Sequence, residues 1–350
     1  MEYSKLGRSG LKVSRVCLGT MTWGRQNNQA DADAQLECAM TQGVNFIDTA
    51  EMYAVPPTPE TYGKTESIIG DWLSRNASKR HDLVIATKIA GNGLNWVRGG
   101  GDITKEAVIA AVDNSLKRLQ TDYIDLFQLH WPNRTSPHFA KHWPDMIDIQ
   151  SVDKSQQRAQ MHAILEGLDQ CVRAGKIRHC GLSNETPWGL SQYLDLAKQY
   201  SLPAVVSVQN EFSLVHAKDW PYLLEHCHHE DIAYLPWSPL AGGMLSGKYL
   251  GGARPEGSRW TISQRNGLFR DTPLAQQAVA KYQDIAQRHN LTTAQLALAW
   301  CNQVQGVTST IIGATNLAQL QENIDAFAMT LEDEVLAEID TVLKEYPVPF

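Results

Sequence analysis

Asn45-Phe46-Ile47-Asp48-Thr49-Ala50-Glu51-Met52-Tyr53 is a short apolar run that stops at an acid, with a tyrosine five residues further on. Two later runs end in a similar way. Ile85-Ala86-Thr87-Lys88 stops at a lysine, and Leu126-Phe127-Gln128-Leu129-His130 stops at a histidine. In a parallel barrel every strand opens on the same face, where barrel enzymes keep their chemistry. The spacing therefore predicts that Asp48, Tyr53, Lys88 and His130 meet in space.

Outward from these runs the chain alternates. Tyr3 to Leu6 and Leu11 to Leu18 read as a small hairpin around Arg8-Ser9-Gly10, leading into a first barrel strand near Arg15 to Leu18. Further strands are expected at 44–47, 83–88, 124–129, 177–182, 205–209, 232–237 and 308–312. Helical periodicity fills the intervals near 31–42, 64–75, 105–119, 157–174, 188–200, 217–229, 274–289 and 293–303, and 316–327 and 332–344 close the chain. Gly43 and Gly175 suit helix C-caps, while Thr186-Pro187 and Thr272-Pro273 suit an N-cap followed by proline at the first helical position. Strand and helix alternating to eight strands give an α/β fold, a (β/α)8 TIM barrel with an N-terminal β-hairpin, expected as one domain over 1–350. Residues 90–102 and 131–155 interrupt the rhythm just after the third and fourth strands, and are expected to form walls or lids of a pocket.

A net charge of -7 without a long basic run argues against nucleic acid or an anionic membrane surface as the main partner. Met1-Glu2-Tyr3-Ser4-Lys5-Leu6-Gly7 lacks the apolar core of a signal peptide, and no run approaches the roughly 18 apolar residues of a membrane helix, so a cytoplasmic location is expected. Cys17, Cys38, Cys171, Cys180, Cys227 and Cys301 are scattered without a C-x-x-C pair and read as reduced thiols. His226-Cys227-His228-His229 sits on an expected helix, where adjacent side chains diverge, and no metal site is expected.

The four strand-end residues suit proton transfer to an oxygen. A tyrosine titrates near 10, so it needs a neighbouring cation to become a useful acid, and Lys88 is placed to supply that charge. A buried lysine needs a counter-ion, which is Asp48. His130 completes a site able to orient a carbonyl oxygen as negative charge builds on it during hydride addition.

Several motifs carry a family resemblance: Gly19-Thr20-Met21-Thr22-Trp23-Gly24, Phe46 to Tyr53, Gly63-Lys64-Thr65-Glu66, Leu116 to Leu126 and Gly175 to Asn184. They resemble the aldo-keto reductases. Trp237-Ser238-Pro239-Leu240-Ala241-Gly242-Gly243 through Tyr249, and Ile312 to Asn323, are most similar to the bacterial Tas-type reductases and more distantly to potassium-channel β subunits. The resemblance covers about residues 3 to 343. It implies NADPH-dependent reduction of aldehydes or ketones, with Tyr53 as proton donor, Lys88 and Asp48 tuning it and His130 positioning the carbonyl. It implies NADPH (NADP+) contacts from Gly19, Thr20, Met21, Gln26 and Asp48, then Ser183, Asn184 and Gln209 near the nicotinamide. Trp237, Ser238, Pro239, Leu240, Gly242, Lys248 and Arg259 follow along the diphosphate, and Gly313, Thr315, Gln319, Glu322 and Asn323 at the adenosine end. Lys248 and Arg259 bring positive charge after the seventh strand, and Gly313 to Thr315 leads into a helix N-terminus after the eighth, a usual place for phosphate. The chain departs from many relatives in a proline-rich lip, Ala54 to Tyr62, beside the expected pocket.

Rival readings fit less well. A Rossmann dehydrogenase needs G-x-G-x-x-G, and Gly91-Asn92-Gly93-Leu94-Asn95-Trp96 fails at the last glycine. A metal-dependent barrel hydrolase has only Asp48 and His130 to offer as ligands. The remaining alternative is a cofactor-sensing regulatory subunit like the channel β subunits. Trp23, Trp96, Trp131 and Trp143 suggest an aromatic lining, with a small carbonyl compound as the partner.

Overall fold

The computed structural model describes residues 1–262 and 268–350. A hairpin of β1 (Tyr3–Lys5) and β2 (Lys12–Ser14) precedes eight parallel strands: β3 (Val16–Gly19), β4 (Phe46–Asp48), β5 (Val84–Ile89), β6 (Ile124–Leu129), β7 (Ile177–Ser183), β8 (Val205–Glu211), β9 (Ala233–Trp237) and β10 (Thr310–Ile312). Neighbours in sequence are neighbours in the sheet, and β10 returns to pair with β3. The seam between β9 and β10 is held by a Tyr234–Val307 bridge and by the Thr308 N–H, which donates to the Tyr234 carbonyl at 2.9 Å. The expected (β/α)8 barrel is thus present.

Surrounding helices are α1 (Gln29–Thr41), α2 (Lys64–Arg75), α3 (Lys105–Leu119), α4 (Lys154–Arg173), α5 (Pro187–Tyr200), α6 (Tyr222–His229), α7 (Arg259–Ile262), α8 (Pro273–Arg288), α9 (Thr293–Gln303), α10 (Leu317–Asp325) and α11 (Asp333–Glu345). Their limits follow local chemistry. Thr186 and Thr272 accept from the backbone N–H groups of Gly189 and Ala275, each with proline as the first helical residue. After α1 and α4 the chain turns left-handed at Gly43 (φ 83°) and Gly175 (φ 72°), and the paired bonds Val44 N–H to Ala39 carbonyl and Lys176 N–H to Cys171 carbonyl close each end. Two starts differ from expectation. Asp153 caps the Ser155 and Gln156 N–H groups, so α4 begins at 154. Pro221 biases the residue before it away from helical backbone, so α6 begins at Tyr222 rather than near 217.

The barrel interior explains the site's position. Cys17, Phe46, Val84, Ala86, Leu126 and Leu235 pack inside the barrel with Leu6 and Val13 of the hairpin. Gly7 (φ 52°) lets the hairpin lie flush on the barrel's N-terminal end: a Cβ there would stand 2.6 Å from the Asp231 carbonyl and nearer still to that of Val206. Side chains alternate between faces along a strand, so two residues after Phe46, Ala86 and Leu126 the same interior face carries Asp48, Lys88 and Gln128. The apolar plug becomes a polar floor at the C-terminal mouth. All six cysteines are free.

Candidate active site

Asp48, Lys88 and the ring of Tyr53 meet as expected. The Lys88 Nζ donates to Asp48 Oδ2 at 2.6 Å and to the Thr49 carbonyl at 2.8 Å, and its side chain is wholly buried. The same ammonium stands 5.1 Å from the centroid of the Tyr53 ring. His130 lies across the mouth with its ring 5.7 Å from that of Tyr53, nearly perpendicular at 76°. Asp48 Oδ1 accepts from Gln209 Nε2 at 2.8 Å, with Gln128 Nε2 at 3.4 Å beside it.

Charges in this mouth are set by burial and by one ion pair. Burial opposes the Lys88 ammonium, but Asp48 and Tyr53 favour it more strongly together, and its pKa stands above the ordinary value. Burial also raises Tyr53; Lys88 pulls the other way and does not win, so the phenol stays above its usual 10.0 and protonated. The expected depression by Lys88 is therefore only an opposing influence here. Burial, with Lys88 nearby, holds His130 well below 6.5, so its imidazole is neutral. A neutral imidazole and a protonated phenol can each donate a hydrogen bond.

The residues expected around a cofactor lie at successive strand ends around the mouth. Ser183 Oγ donates to the Gln209 carbonyl at 2.7 Å and Asn184 Nδ2 to the His130 carbonyl at 2.8 Å, which joins the ends of β6, β7 and β8. Thr20 Oγ1 donates to the Asp48 carbonyl, and Gly19 pairs with Asp48 in register. Met21 Sδ lies 3.8 Å from an Arg259 Nη, and Gln26 Nε2 reaches the Gly257 carbonyl at 3.4 Å, so the loop after β3 meets the 254–259 segment. Trp237, Ser238 and Pro239 leave β9 into a turn containing the left-handed Gly242. Lys248 is exposed there. Beyond β10, Gly313 is open to its surroundings, Thr315 donates twice to Gln319 Oε1, Thr292 donates to Glu322, and Asn323 Nδ2 returns to the Gly313 carbonyl.

Buried polar atoms without a partner among the described residues cluster along this path: His130 Nδ1, Asn184 Oδ1, Trp237 Nε1, Arg259 Nε and Trp260 Nε1. Unmatched buried donors and acceptors are costly, and a polar ligand running across these strand ends would meet them. Burial, then Arg270, brings the Arg259 guanidinium down to about 10, which an anion alongside would reverse.

Other side chains of the mouth were not singled out by sequence. Gln128 braces Asp48 from the same face as His130, a place visible in the period-two run Leu126, Gln128, His130. Glu51 is fully buried and accepts from the Ala90 N–H (2.7 Å), the Tyr62 hydroxyl (2.9 Å) and Arg98 (2.9 Å), which staples the lip and the 90–102 loop to β4. Arg134 pairs with buried Glu185 and fixes the base of the 131–153 segment. The lip is tied down as well, by the Val55 N–H on the Met21 carbonyl at 2.8 Å. Of the four tryptophans expected in a lining, Trp131 is there. Trp23 lies in the core with Nε1 on Gln35, and Trp96 and Trp143 are exposed.

The aldo/keto reductase family profile matches residues 15–344. The chain is 43% identical over 355 aligned positions to Protein tas of Escherichia coli K12, covering 100% of this chain and 99% of that protein. The chain belongs to the aldo/keto reductase family. This reductase is also 31% identical to the uncharacterized oxidoreductase YrpG of Bacillus subtilis, over 98% of this chain and 96% of that one. An aldo-keto reductase of Babesia bovis is 40% identical over 69% of this chain and 88% of its own length. The protein is therefore an oxidoreductase acting on a small molecule, of the kind that uses a nicotinamide cofactor. Among the described residues, no helix is long and apolar enough to cross a membrane and no group of His, Cys, Asp or Glu is arranged to hold a metal ion.

Proposed function

We propose that the reductase uses NADPH to reduce an aldehyde or ketone to the alcohol. The observation that carries this reading is the buried Lys88–Asp48 pair beneath a protonated Tyr53, opposite a neutral His130. When bound, NADPH supplies the hydride. Tyr53 gives its hydroxyl proton to the carbonyl oxygen as charge builds there, and Lys88 stabilises the phenolate left behind. Asp48 holds the Lys88 ammonium in place while Gln209 and Gln128 hold Asp48. His130, neutral across the reaction, orients the carbonyl by a hydrogen bond.

The cofactor path fits the unpartnered atoms above. Ser183, Asn184 and Gln209 would take the carboxamide; Trp237 to Leu240, Gly242, Lys248 and Arg259 the diphosphate; Gly313, Thr315, Gln319, Glu322 and Asn323 the adenosine. Gly19, Thr20, Met21, Gln26 and Asp48 would line the path's near side. Lys248 and Arg259, shared between the diphosphate and a 2′-phosphate, would with Thr315 supply the charge and hydrogen bonds for the latter, contacts worth roughly 1.5–3 kcal/mol each. NADPH should bind at least about tenfold more tightly than NADH, or about 1.4 kcal/mol. Fluorescence titration with both cofactors, together with NADPH consumption over a panel of aldehydes, tests the proposal. Equal affinities would remove the NADPH assignment, and no turnover of any aldehyde would remove the reductase mechanism.

A further inference from the structure

A cleft of about 390 Å³ lies between the chain after β8 and α11 with the residues beyond it, and Lys218 is one of its lining groups. Ala217, Trp220, Leu343, Pro347 and Val348 give it apolar walls. The other two charged lining residues, Asp340 and Lys344, pair with each other at 2.8 Å. Backbone on either side of Lys218 is pinned. The His216 ring stacks on Phe350 with centroids 5.7 Å apart, and the Asp219 carboxylate accepts from the Tyr234 hydroxyl at 2.7 Å and from Asn210 Nδ2 at 2.8 Å. Lys218 itself is half-buried and has no hydrogen-bond or ion-pair partner among the described residues. The acids near it are engaged elsewhere: Glu211 with Arg270, Asp219 with Tyr234 and Asn210, and Asp340 with Lys344. His216 and His142, both held below 6.5, complete the titratable surroundings together with the Arg270 cation. Burial lowers the Lys218 amine, Glu211 and Asp219 push back without winning, and it stands at about 8.

We infer that Lys218 is a second carbonyl-reactive group of this protein, one that captures small aldehydes with an apolar tail as imines in this cleft. The Nζ lone pair forms the new bond to the carbonyl carbon, and the oxygen takes a proton to give a carbinolamine. Both amine hydrogens then leave with that oxygen as water, and a C=N bond remains. Water reverses the step, and no oxidant or reductant is consumed. The walls take the tail out of solvent. With the amine at about 8, roughly a quarter of it is neutral at about pH 7.5, against about 0.1% of an ordinary lysine near 10.4, a gain of roughly 200-fold in reactive form. A weaker base is also a weaker nucleophile, by about tenfold over this interval on a Brønsted slope of about 0.4–0.5. The reactive fraction wins by about an order of magnitude.

The test is reductive trapping without NADPH, so that no turnover is needed and the result does not depend on the reductase mechanism. The full chain is treated briefly with hexanal and sodium cyanoborohydride at about pH 7.5, and peptide mass spectrometry reads the alkylation rate of each lysine. Lys218 should react about tenfold faster than Lys117 and Lys198, which are exposed on α3 and α5. Glycolaldehyde, which lacks the apolar tail, provides the second arm: the hexanal-to-glycolaldehyde ratio should be higher at Lys218 than at the two exposed lysines. In Lys218→Arg, which keeps the charge, the earliest adduct in the intact-mass spectrum should disappear. A Lys218 rate no higher than that of Lys117 and Lys198, the same aldehyde ratio at all three lysines, or an unchanged first adduct in Lys218→Arg each overturns the proposal.

Discussion

Tyr53 is the one phenol set over the Lys88–Asp48 pair, and removing its hydroxyl leaves the ring packing in place. Tyr53→Phe should lower kcat for an aldehyde by about 10²-fold or more while NADPH affinity is retained, because the acid is lost and the cofactor contacts are not. Stopped-flow turnover beside a cofactor titration checks this, and near wild-type rates would assign the proton to another group. The pH dependence follows from the same residue. An acid must be protonated to act, burial raises Tyr53 above 10.0, and His130 is held well below 6.5. The reduction rate should therefore be flat between about pH 7 and 9, with an alkaline fall above the ordinary tyrosine range. A break near neutral pH would mean that some other titrating group gates the step. Asp48, Lys88 and His130 were legible because each ends an apolar run, and a strand end in a barrel has only one place to be. Glu51 and Gln128 were not singled out. Glu51 acts through partners 39 and 47 residues away in sequence, Ala90 and Arg98, and spacing along one strand carries no sign of them.

Among the elements, the hairpin and the 131–153 segment make opposite demands. The hairpin depends on one backbone position, Gly7, where both the positive φ and the nearness of the Val206 and Asp231 carbonyls exclude a side chain. Gly7→Ala should cost about 2 kcal/mol or more of stability, read as a lower urea midpoint, with NADPH binding intact below the transition because the change lies at the opposite end of the barrel. The 131–153 segment has no helix or strand, and Phe139, Trp143, Met146 and Ile149 are exposed on it. Replacing 136–152 with a short Gly/Ser linker should keep NADPH affinity within about threefold while reordering aldehydes by kcat/KM. An unchanged ranking would place specificity elsewhere, most naturally in the lip after Tyr53. Periodicity and caps made the strands and most helices readable, since both are local properties. The start of α4 at Lys154 shows the limit: the apolar stripe becomes visible only from 157, and the helix is begun earlier by the Asp153 cap.

At the scale of the molecule, burial of histidines beside the barrel mouth links stability to pH. Burial above all holds His138 down to about 3 and His216 to about 4; Glu211 opposes this at both, while Arg134 at His138 and Lys218, Arg270 and His142 at His216 add to it. Folded values below the unfolded 6.5 mean that the unfolded chain takes up protons first. Their contribution is complete above pH 6.5 and is lost as pH falls toward 4, about 2 kcal/mol for His138 by pH 5. His216→Gln should flatten the fall of the urea midpoint over that window, and an unchanged fall would assign the acid sensitivity to other groups. The barrel also joins the two ends of the chain: Cys17 of β3 pairs with Ile311 of β10, about three hundred residues later. During synthesis at ~10 residues per second, that edge of β3 waits about half a minute for its partner. An unpaired strand edge is where other chains add. β4 covers one side of β3 early, but the other stays open on the ribosome until β10 emerges, so the nascent reductase is most exposed to self-association at the first strand of its barrel.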